Sequence, residues 1–558
     1  MVLNYHREVG AADPIIQRIA DEDKVPWYKK PNLRYMYFWL FITCMGVEIT
    51  SGFDSQMINA LQIVPSWKKF FNDPQGTHKS LLSASYSLGA VLSLPFVPWL
   101  SDNLGRRWSV LAGSCVQCVG AILQGAAQDM AMYSIPPSRP CPLNILVNLF
   151  IQSGIPLCIV NASALLGELG HPKERSRLTS FFNVSYFIGQ ILAAGICFGT
   201  NTIASNWAWR IPSLLQITPS LFQIAFVLLL PESPRWLIAH DRHDEAAAIL
   251  YKYHAEDDPD SEFVRAEVAE IQTTIKLELE AAKDSWLDLL RDRGMQKRSL
   301  VTAMLGLFTQ WSGNTLISYY LGDILGYVGM TDSMDKQKFN LGNSCWNLVC
   351  ALLVAMLVKK FRRRTMYLTC TIALLCVYIG WTITYRYALA GVLYDDRGKF
   401  VRQRNKPAAD LTLFFIMAYA PAYNIGYNAL TYTYLIELWP FALRSRGITF
   451  FQLFGRLATF FNTFVNPIAL ENIQWKYLIT YVCWLAYEVV FVFFFFPETH
   501  GRTLEELAWL FEDKDLADRA VLAAEKVIHG GDLPEDKQAQ AGTATETEVA
   551  PNQPTSRV

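Results

Sequence analysis

The feature of this sequence that most constrains its fold is an internal repeat, in which the second half of the chain carries the same charged signature as the first. Each copy is a Glu, a Pro and an Arg that follow an apolar stretch, and the copies are Glu168, Pro172, Arg175 and Glu437, Pro440, Arg444. A second motif closes each half, as Pro231-Glu232-Ser233 and Pro497-Glu498-Thr499. This duplication predicts two similar membrane bundles with a solute site between them.

Hydropathy supports a membrane protein. Hydrophobic residues make up 52% of the 558 residues and charged residues only 18%. The charged residues lie between apolar stretches of about 20 residues, the length of a membrane-crossing helix. We count twelve stretches, near 34–54, 80–101, 108–128, 143–165, 178–199, 211–231, 300–328, 341–361, 365–388, 410–436, 447–469 and 475–497. The predicted fold class is therefore an all-α membrane protein with twelve transmembrane helices in two six-helix bundles.

Basic residues indicate the orientation in the membrane. Clusters of Lys and Arg fall on one side of the twelve-span layout, at Lys29-Lys30, Arg106-Arg107, Lys173 to Arg177, Lys359 to Arg364 and Arg444 to Arg446. The positive-inside rule makes that side cytoplasmic and places both termini there. The loop from Arg386 to Lys406 opposes this assignment, but acidic residues are interleaved with its basic ones. The net charge of −1 gives no indication of nucleic-acid binding.

The intervals between and after the apolar spans predict the domain organisation. The gap between the halves is rich in Ala, Glu and Lys, which favours a cytoplasmic helical linker. The tail beyond Asp513 is too polar to bury a core and is predicted to be largely disordered. The predicted segments are 1–33 (cytoplasmic leader), 34–231 (first bundle), 232–299 (linker), 300–497 (second bundle) and 498–558 (cytoplasmic tail). The charged leader and the acidic residues of the first span do not fit a signal peptide, so we expect this span in the mature protein.

Cysteine usage does not indicate a metal or redox centre. Most of the 11 cysteines lie inside apolar spans, where a thiol packs as a small hydrophobic group. Cys115 and Cys118 have ligand-like spacing, but no His or second pair accompanies them in their span. The sequence also lacks a nucleotide-binding loop. We therefore expect no cofactor, no metal and no enzymatic activity.

Several motifs together resemble those of a known family. Asp102-Asn-Leu-Gly105-Arg106-Arg107 follows the second span, Pro231-Glu232-Ser233-Pro234-Arg235 follows the sixth, and Pro497-Glu498-Thr499-His500-Gly501 follows the twelfth. These motifs resemble the sugar porter branch of the major facilitator superfamily, over about residues 34–512. Gln310-Trp311-Ser312-Gly313-Asn314 resembles the fungal lactose permease and cellodextrin transporter group. The resemblance implies two pseudo-symmetric bundles that carry a neutral sugar by alternating access.

Charged residues at the predicted cytoplasmic helix ends are candidates for a gate between the halves. Complementary charges there could hold the halves together in one state and release them in another, although basic residues also simply satisfy topology and helix C-termini. The resemblance implies that the ion pairs form in the outward-facing state. The predicted gate residues are Asp102, Arg106, Arg107, Glu168, Arg175, Glu437 and Arg444. The second-half counterpart of the motif at Asp102 to Arg107 lacks both Asp and Gly.

Amides and aromatic rings inside the spans are candidates for a sugar site. A sugar offers hydroxyls for paired hydrogen bonds and a weakly apolar ring face, and mid-membrane amides are costly unless they face a cavity or another helix. Asn183 and Gln190 are two helical turns apart and share a face. The predicted site residues are Asn183, Gln190, Gln310, Asn314, Tyr320, Asn424, Asn428 and Tyr432. Interhelical hydrogen bonding is the alternative role for each amide, and core packing for the aromatic residues.

Asp54 in the first span is the predicted proton-coupling residue. A carboxylate is costly inside a membrane when ionised, so a buried one can bind and release a proton. The alternative is a helix-end carboxylate exposed to solvent. The resemblance implies an Arg partner in the fourth span, but this sequence has Asn148 there. The segment from Ser134 to Gln152 also departs from the family pattern, through divergence or a gene-model error.

The sequence therefore predicts a multi-pass plasma-membrane transporter that imports a hexose or a disaccharide, coupled to proton entry. Its predicted partners are the sugar, protons and the lipid bilayer, with no nucleic acid, and we expect a monomer. Two alternatives use the same fold. One is a porter for a non-sugar solute, including export of a metabolite, and the other is a transporter-like sugar sensor.

Overall fold

The fold is nearly all helical. The computed structural model describes residues 25–61, 63–70, 89–125, 142–203, 205–281, 289, 293–330, 332–390, 392–394, 400–403, 405–500 and 507. The predicted disordered tail beyond Asp513 and the residues from Ser134 to Cys141 lie outside them. Asn148 belongs to a described helix, but its side chain is also outside the description.

The described part of the first half contains these α-helices: α1 (Pro31–Leu40), α2 (Gly46–Leu61), α3 (Pro65–Phe70), α4 (Val97–Leu104), α5 (Arg106–Gly125), α6 (Pro142–Leu169), α7 (Arg175–Thr200), α8 (Trp207–Leu215) and α9 (Ile217–Phe226). A π-helical turn at Phe41–Met45 joins α1 to α2. Short 3₁₀ turns lie at Trp27–Lys29, Leu94–Phe96 and Val227–Leu229. Helix α6 begins at Pro142, since a Pro at the first helical turn loses no intrahelical hydrogen bond.

The linker and the second half are also built mainly of α-helices. The linker helices are α10 (Pro234–Ala239), α11 (His243–His254) and α12 (Glu262–Ala281). The second half contains α13 (Arg293–Trp311), α14 (Asn314–Tyr327), α15 (Ser333–Leu357), α16 (Arg363–Ala390), α17 (Lys406–Tyr423), α18 (Ala429–Leu438), α19 (Phe441–Ile473) and α20 (Lys476–Phe495). A 3₁₀ turn lies at Val358–Lys360 and a π-helical turn at Asn424–Asn428. A small antiparallel hairpin, β1 (Val392–Tyr394) with β2 (Phe400–Gln403), is an addition that the all-α prediction did not include.

Six stretches of described helix are long and apolar enough to cross a membrane. They are Pro31–Leu61, Arg177–Thr200, Trp207–Leu229, Ser333–Leu357, Arg363–Ala390 and Lys476–Phe495. Large apolar side chains such as Phe96, Trp99, Phe414 and Phe494 are more than half exposed on the outer surface. An apolar outer surface of this kind suits contact with lipid.

Helix packing repeats between the two halves. In the first half α2 packs on α7, and α5 packs on both α6 and α9. The second half shows the same pattern, with α13 on α19 and α16 on both α17 and α20. Two contacts between the halves follow the same symmetry. Helix α7 of the first half packs on α15, and its second-half counterpart α19 packs on α4. The repeated signature in the sequence thus corresponds to a repeated arrangement of helices.

Glycines allow the closest helix crossings. A Cβ atom at Gly52 of α2 would overlap the carbonyl oxygen of Tyr186, and one at Gly189 of α7 would overlap that of Ile49. The equivalent crossing of α13 and α19 has Gly306, where a Cβ would lie 2.8 Å from the carbonyl oxygen of Phe451. Small residues let membrane helices approach until their backbones touch.

The linker contacts the start of α1 and the end of α6. The carboxylate of Glu256 accepts the backbone N–H groups of Asn32 (2.9 Å) and Leu33 (3.0 Å), which have no partner within the helix. His254 lies within hydrogen-bonding distance of Glu267 (2.8 Å) and of the carbonyl oxygen of Leu169 (3.3 Å). These contacts attach the linker to the first bundle.

Candidate functional site

A central cavity lies between the two halves. Its volume is about 190 Å³, measured as the space open to the centre of a water molecule. The first half contributes residues of α2, α6 and α7 to its wall, and the second half contributes residues of α13, α14, α15, α17, α18 and α19. Amide, hydroxyl and tyrosine side chains predominate among the lining residues, which suits a solute with many hydroxyl groups.

The structure brings six of the eight predicted sugar-site residues to this cavity. They are Asn183, Gln190, Gln310, Asn314, Asn428 and Tyr432. Asn314 lines the wall at the start of α14. Asn183 has a second contact, because its amide donates to the carbonyl oxygen of Asn428 in the other half at 2.5 Å.

Three predicted residues lie away from the cavity lining. The Asn424 amide donates to the carbonyl oxygen of Ala420 in its own helix at 2.8 Å, and the residue is fully buried. The Tyr320 hydroxyl donates to the carbonyl oxygen of Thr463 at 2.7 Å, which joins α14 to α19. Asp54 is buried, with 3% of its surface exposed, but is not among the cavity-lining residues. Tyr320 thus has a packing role between helices, whereas the described hydrogen bond of Asn424 lies within its own helix.

Several cavity amides have donors or acceptors available to a ligand. Within the described part of the chain, the side chain of Gln190 and the Nδ2 atom of Asn428 have no hydrogen-bond partner. The same holds for the Nε2 atom of Gln56 and the Oδ1 atom of Asn343. An unpaired amide in a membrane interior is costly, so a bound hydroxyl would stabilise each of these groups.

Sequence reasoning missed an amide stripe on α15. Asn340, Asn343 and Asn347 line the cavity together with Gln56 and Gln452. The signal was present, because Asn residues at positions i, i+3 and i+7 share one helix face. The sequence analysis also did not identify an aromatic wall of the cavity, formed by Tyr419, Tyr423 and Tyr427. The rings of Tyr419 and Tyr423 are stacked, with 5.5 Å between their centroids.

The halves are joined at one end of the cavity by uncharged groups, and we call this the amide end. The Asn59 amide of α2 donates to Asn340 Oδ1 of α15 at 3.3 Å. The Gln337 amide of α15 donates to the carbonyl oxygen of Ala60 at 3.1 Å. Uncharged hydrogen bonds of this kind contribute about 1 kcal/mol each, so this end can separate at modest cost.

The opposite end, which we call the charged end, is centred on Glu168. Its Oε1 atom pairs with Arg444 of the second half at 3.0 Å, and its Oε2 atom accepts from the Ser233 hydroxyl at 2.5 Å and faces Arg106 at 3.6 Å. These side chains are nearly inaccessible to solvent. A second link crosses between the halves here, from the Ser445 hydroxyl to Asp102 at 3.1 Å.

The second half repeats this network around Glu437. Its Oε1 atom pairs with Arg363 at 3.2 Å, and its Oε2 atom accepts from the Thr499 hydroxyl at 2.6 Å. Arg363 and Thr499 therefore correspond to Arg106 and Ser233. The difference is that the described contacts of Glu437 stay within its own half, whereas Glu168 also joins the two halves.

The carboxylates of the repeated Pro-Glu motifs hold the starts of two helices. Glu232 accepts the backbone N–H groups of Arg106 (3.0 Å) and Arg107 (3.2 Å), and Glu498 accepts those of Arg363 (2.9 Å) and Arg364 (3.2 Å). A negative charge at a helix N-terminus is stabilising. Burial raises the pKa of Glu232, and these backbone hydrogen bonds oppose that shift. Burial and the nearby Arg363 lower the pKa of His500, so its ring is neutral near pH 7.

Two predicted gate residues have other surroundings. Arg107 donates to the carbonyl oxygen of Leu230 at 3.0 Å, a contact within the first half. Arg175 begins α7, and its carbonyl oxygen accepts from Thr179, whose hydroxyl lies 2.6 Å from that of Thr433 in the second half. The hydroxyl pair is a contact between the halves at this position.

A metal site is not evident in the part of the chain that the structure describes. No group of three or more His, Cys, Asp or Glu residues there is arranged to hold a metal ion. The ten described cysteines have free thiols.

Comparison with known proteins places the chain among transporters. A family model described as "Sugar (and other) transporter" matches residues 39–511. A high-affinity glucose transporter of Kluyveromyces lactis is 28% identical over 497 residues, which cover 87% of each chain. The MFS-type transporter oryC of Aspergillus oryzae is 26% identical over 500 residues, which cover 88% of each chain. The hexose transporter HXT13 of Saccharomyces cerevisiae is 27% identical over 437 residues, which cover 78% of this chain and 73% of that one.

Solved structures share the same fold. The proton:xylose symporter XylE bound to 6-bromo-6-deoxy-D-glucose superposes with a TM-score of 0.72 at 20% identity, covering 86% of this chain and all of that one. The inward open conformation of XylE from E. coli superposes with a TM-score of 0.61 at 21% identity, with the same coverage. The fold is therefore shared with these structures although only about one residue in five is identical.

Proposed function

The chain belongs to the sugar transporter family of the major facilitator superfamily, and we propose that it imports a hexose or a disaccharide by proton symport. Twelve membrane-crossing segments, cytoplasmic termini and linker, and a plasma-membrane location complete the proposal. The relatives whose names mention glucose or hexose support a sugar substrate. The Gln310 to Asn314 motif supports the narrower lactose and cellodextrin group.

The observation that carries the proposal is the composition of the cavity wall. Unpaired amides such as Gln190 and Gln56 line the same cavity as the tyrosines of α17. Amides donate and accept at the same side chain, as a ring of hydroxyl groups requires, and tyrosine rings can cover the apolar face of a sugar. Contacts between the halves at both ends of the cavity support alternating access. The contacts of the amide end can break while those of the charged end stay formed, and the reverse.

The test of the function is uptake in a yeast strain that lacks its own hexose and disaccharide carriers. We expect the expressed chain to accumulate at least one labelled hexose or disaccharide above its external concentration, and an uncoupler to abolish that accumulation. A cell-surface fraction that moves none of the sugars offered, but exports another labelled solute, would instead support a porter for a non-sugar substrate. Sugar-dependent signalling without flux would support a sensor.

The amide side chains that line the cavity lead to a prediction about sugar affinity. Gln190→Ala and Gln310→Ala should each raise the half-saturation concentration for sugar roughly five- to thirtyfold, because one hydrogen bond worth roughly 1–2 kcal/mol is lost. Asn183→Ala should affect both affinity and rate, since this amide also joins the halves. The measurement is initial uptake against sugar concentration, corrected for surface level.

Asn424→Ala is the matched control for this series. It removes the same kind of amide, but from a side chain that donates within its own helix away from the cavity. We expect its half-saturation concentration to stay near that of the native chain. Equal changes in all four variants would assign the amides to helix packing rather than to the sugar.

A further inference from the structure

Two opposite charges face the central cavity from different halves. Glu48 lies in α2 and is 5% exposed, and Arg456 lies in α19 and is half-buried; both line the cavity. Opposite charges on the wall of one cavity attract each other more strongly than they would in bulk water. Within the described residues neither side chain forms an ion pair within 4.0 Å. The two charges therefore attract each other across the cavity without being joined.

The groups around this pair are otherwise uncharged. The hydroxyl of Tyr432 on α18 accepts a hydrogen bond from the Gln452 amide of α19 at 2.7 Å, and both side chains line the cavity. Helix α9 contributes Gln223 beside Gly46, which lies two residues before Glu48. The cavity-lining side chains of α6, α7, α13, α14, α15 and α17 are apolar groups, amides, hydroxyls and tyrosines. Among the described lining residues, Glu48 is thus the one carboxylate and Arg456 the one cation.

Position matters for a group that must carry a proton. In alternating access the cavity opens to one side of the membrane and then to the other, so a carboxylate on its wall meets water from both sides in turn. Glu48 satisfies this requirement, whereas Asp54 lies outside the lining residues. An ionised carboxylate in a membrane is also costly unless a cation stabilises it, and Arg456 supplies that cation.

We propose that Glu48 carries the transported proton and that Arg456 makes sugar binding depend on that proton. The proposal rests on the proposed function of sugar symport. With Glu48 ionised, Arg456 is held by the attraction between the two charges. A proton from water then bonds to a carboxylate oxygen of Glu48 and neutralises it, which releases the Arg456 guanidinium to donate to a sugar hydroxyl. After the cavity opens to the other side, the sugar leaves, the proton returns to water and the attraction between Glu48 and Arg456 is restored.

The test uses the full chain reconstituted in vesicles that contain a pH-sensitive dye. Addition of a transported sugar should acidify the lumen with the native chain, and Glu48→Gln should lose this proton flux while it retains sugar counterflow, which needs no net proton movement. The half-saturation concentration of the native chain should rise with pH, and that of Glu48→Gln should not change with pH.

Several results would overturn the proposal. Proton flux that persists in Glu48→Gln would exclude Glu48 as the carrier. A native chain that moves sugar without proton flux would reject this inference but leave sugar transport intact. If Glu48→Gln does not fold, Arg456→Gln decides the question. Without the cation Glu48 should hold its proton to higher pH, so the pH midpoint of proton flux should shift upward, and an unchanged midpoint would contradict the proposal.

Discussion

Replacing Glu168 with Gln is expected to open the charged end of the protein and to abolish uphill transport. The carboxylate joins the two halves through Arg444 at 3.0 Å and also faces Arg106 at 3.6 Å. The variant leaves two buried guanidinium groups without their anion, which costs about 3–5 kcal/mol. A cost of about 3 kcal/mol already shifts a two-state equilibrium by about two powers of ten. We therefore expect the state in which the charged end is closed to become rare.

Accessibility of the charged end measures this shift. Ile436 is buried and touches Gly167 across the halves, so Ile436→Cys places a thiol where only an open charged end admits a reagent. In a chain whose exposed native cysteines are replaced, labelling by an impermeant maleimide should be much faster with Glu168→Gln. Uphill sugar accumulation, assayed in parallel, should be lost.

Glu437→Gln is the control that separates the gate from general stability. It removes a buried carboxylate with a similar set of partners, Arg363 and Thr499, but those partners belong to the same half. Both variants should lower the melting temperature of the purified protein, whereas only Glu168→Gln should accelerate labelling. Equal labelling in the two variants would show that the cross-half pair does not hold the charged end closed.

The two halves show how far a motif can predict a structure. The second half lacks the Asp and Gly of the first-half motif, which suggested that the signature is degraded there. The structure nevertheless gives Arg363 the contacts of Arg106. Each guanidinium donates to a carbonyl oxygen five residues before it at 3.1 Å, and each backbone N–H donates to the Glu of a Pro-Glu motif.

Backbone conformation explains why the glycine is absent from the second copy. Gly105 has a φ angle of 85°, and a Cβ atom there would lie 2.7 Å from a carboxylate oxygen of Glu232. In the second half the equivalent residue is Arg362, directly before Arg363, and its φ angle is negative. An L side chain is strained at the first angle and ordinary at the second, so only the first copy needs glycine.

The cavity residues were predictable only in part, for a physical reason. Periodicity identifies which residues share a helix face, as for Asn183 and Gln190, but not which face turns toward the other half. Asn424 and Asn428 are one turn apart, yet only Asn428 lines the cavity, since the π-helical turn at Asn424–Asn428 changes the local period. Glu48 and Arg456 are distant in sequence, and only the packing of α2 and α19 about one cavity relates them.

Replacing Gly189 with Val is expected to prevent the first bundle from folding. At this crossing α2 and α7 are in backbone contact, and a Cβ atom at Gly189 would overlap the carbonyl oxygen of Ile49. A flexible side chain could move aside, but a helical carbonyl cannot move without breaking the hydrogen bonds of α2. Overpacking usually costs about 1–3 kcal/mol, and a β-branched residue against the backbone should exceed that range. We therefore expect almost no protein at the cell surface and a much lower melting temperature.

The same helix supplies the control for this prediction. A Cβ atom at Gly195 or Gly199 of α7 would meet nothing within 4 Å among the described residues. Gly195→Val and Gly199→Val change helix propensity and hydrophobicity as Gly189→Val does, but they leave the crossing intact. If close backbone contact is the requirement, these two variants should reach the surface normally and transport sugar. Normal surface level and melting temperature in Gly189→Val would show that α2 and α7 can separate, and that close contact at this crossing is not needed for the fold.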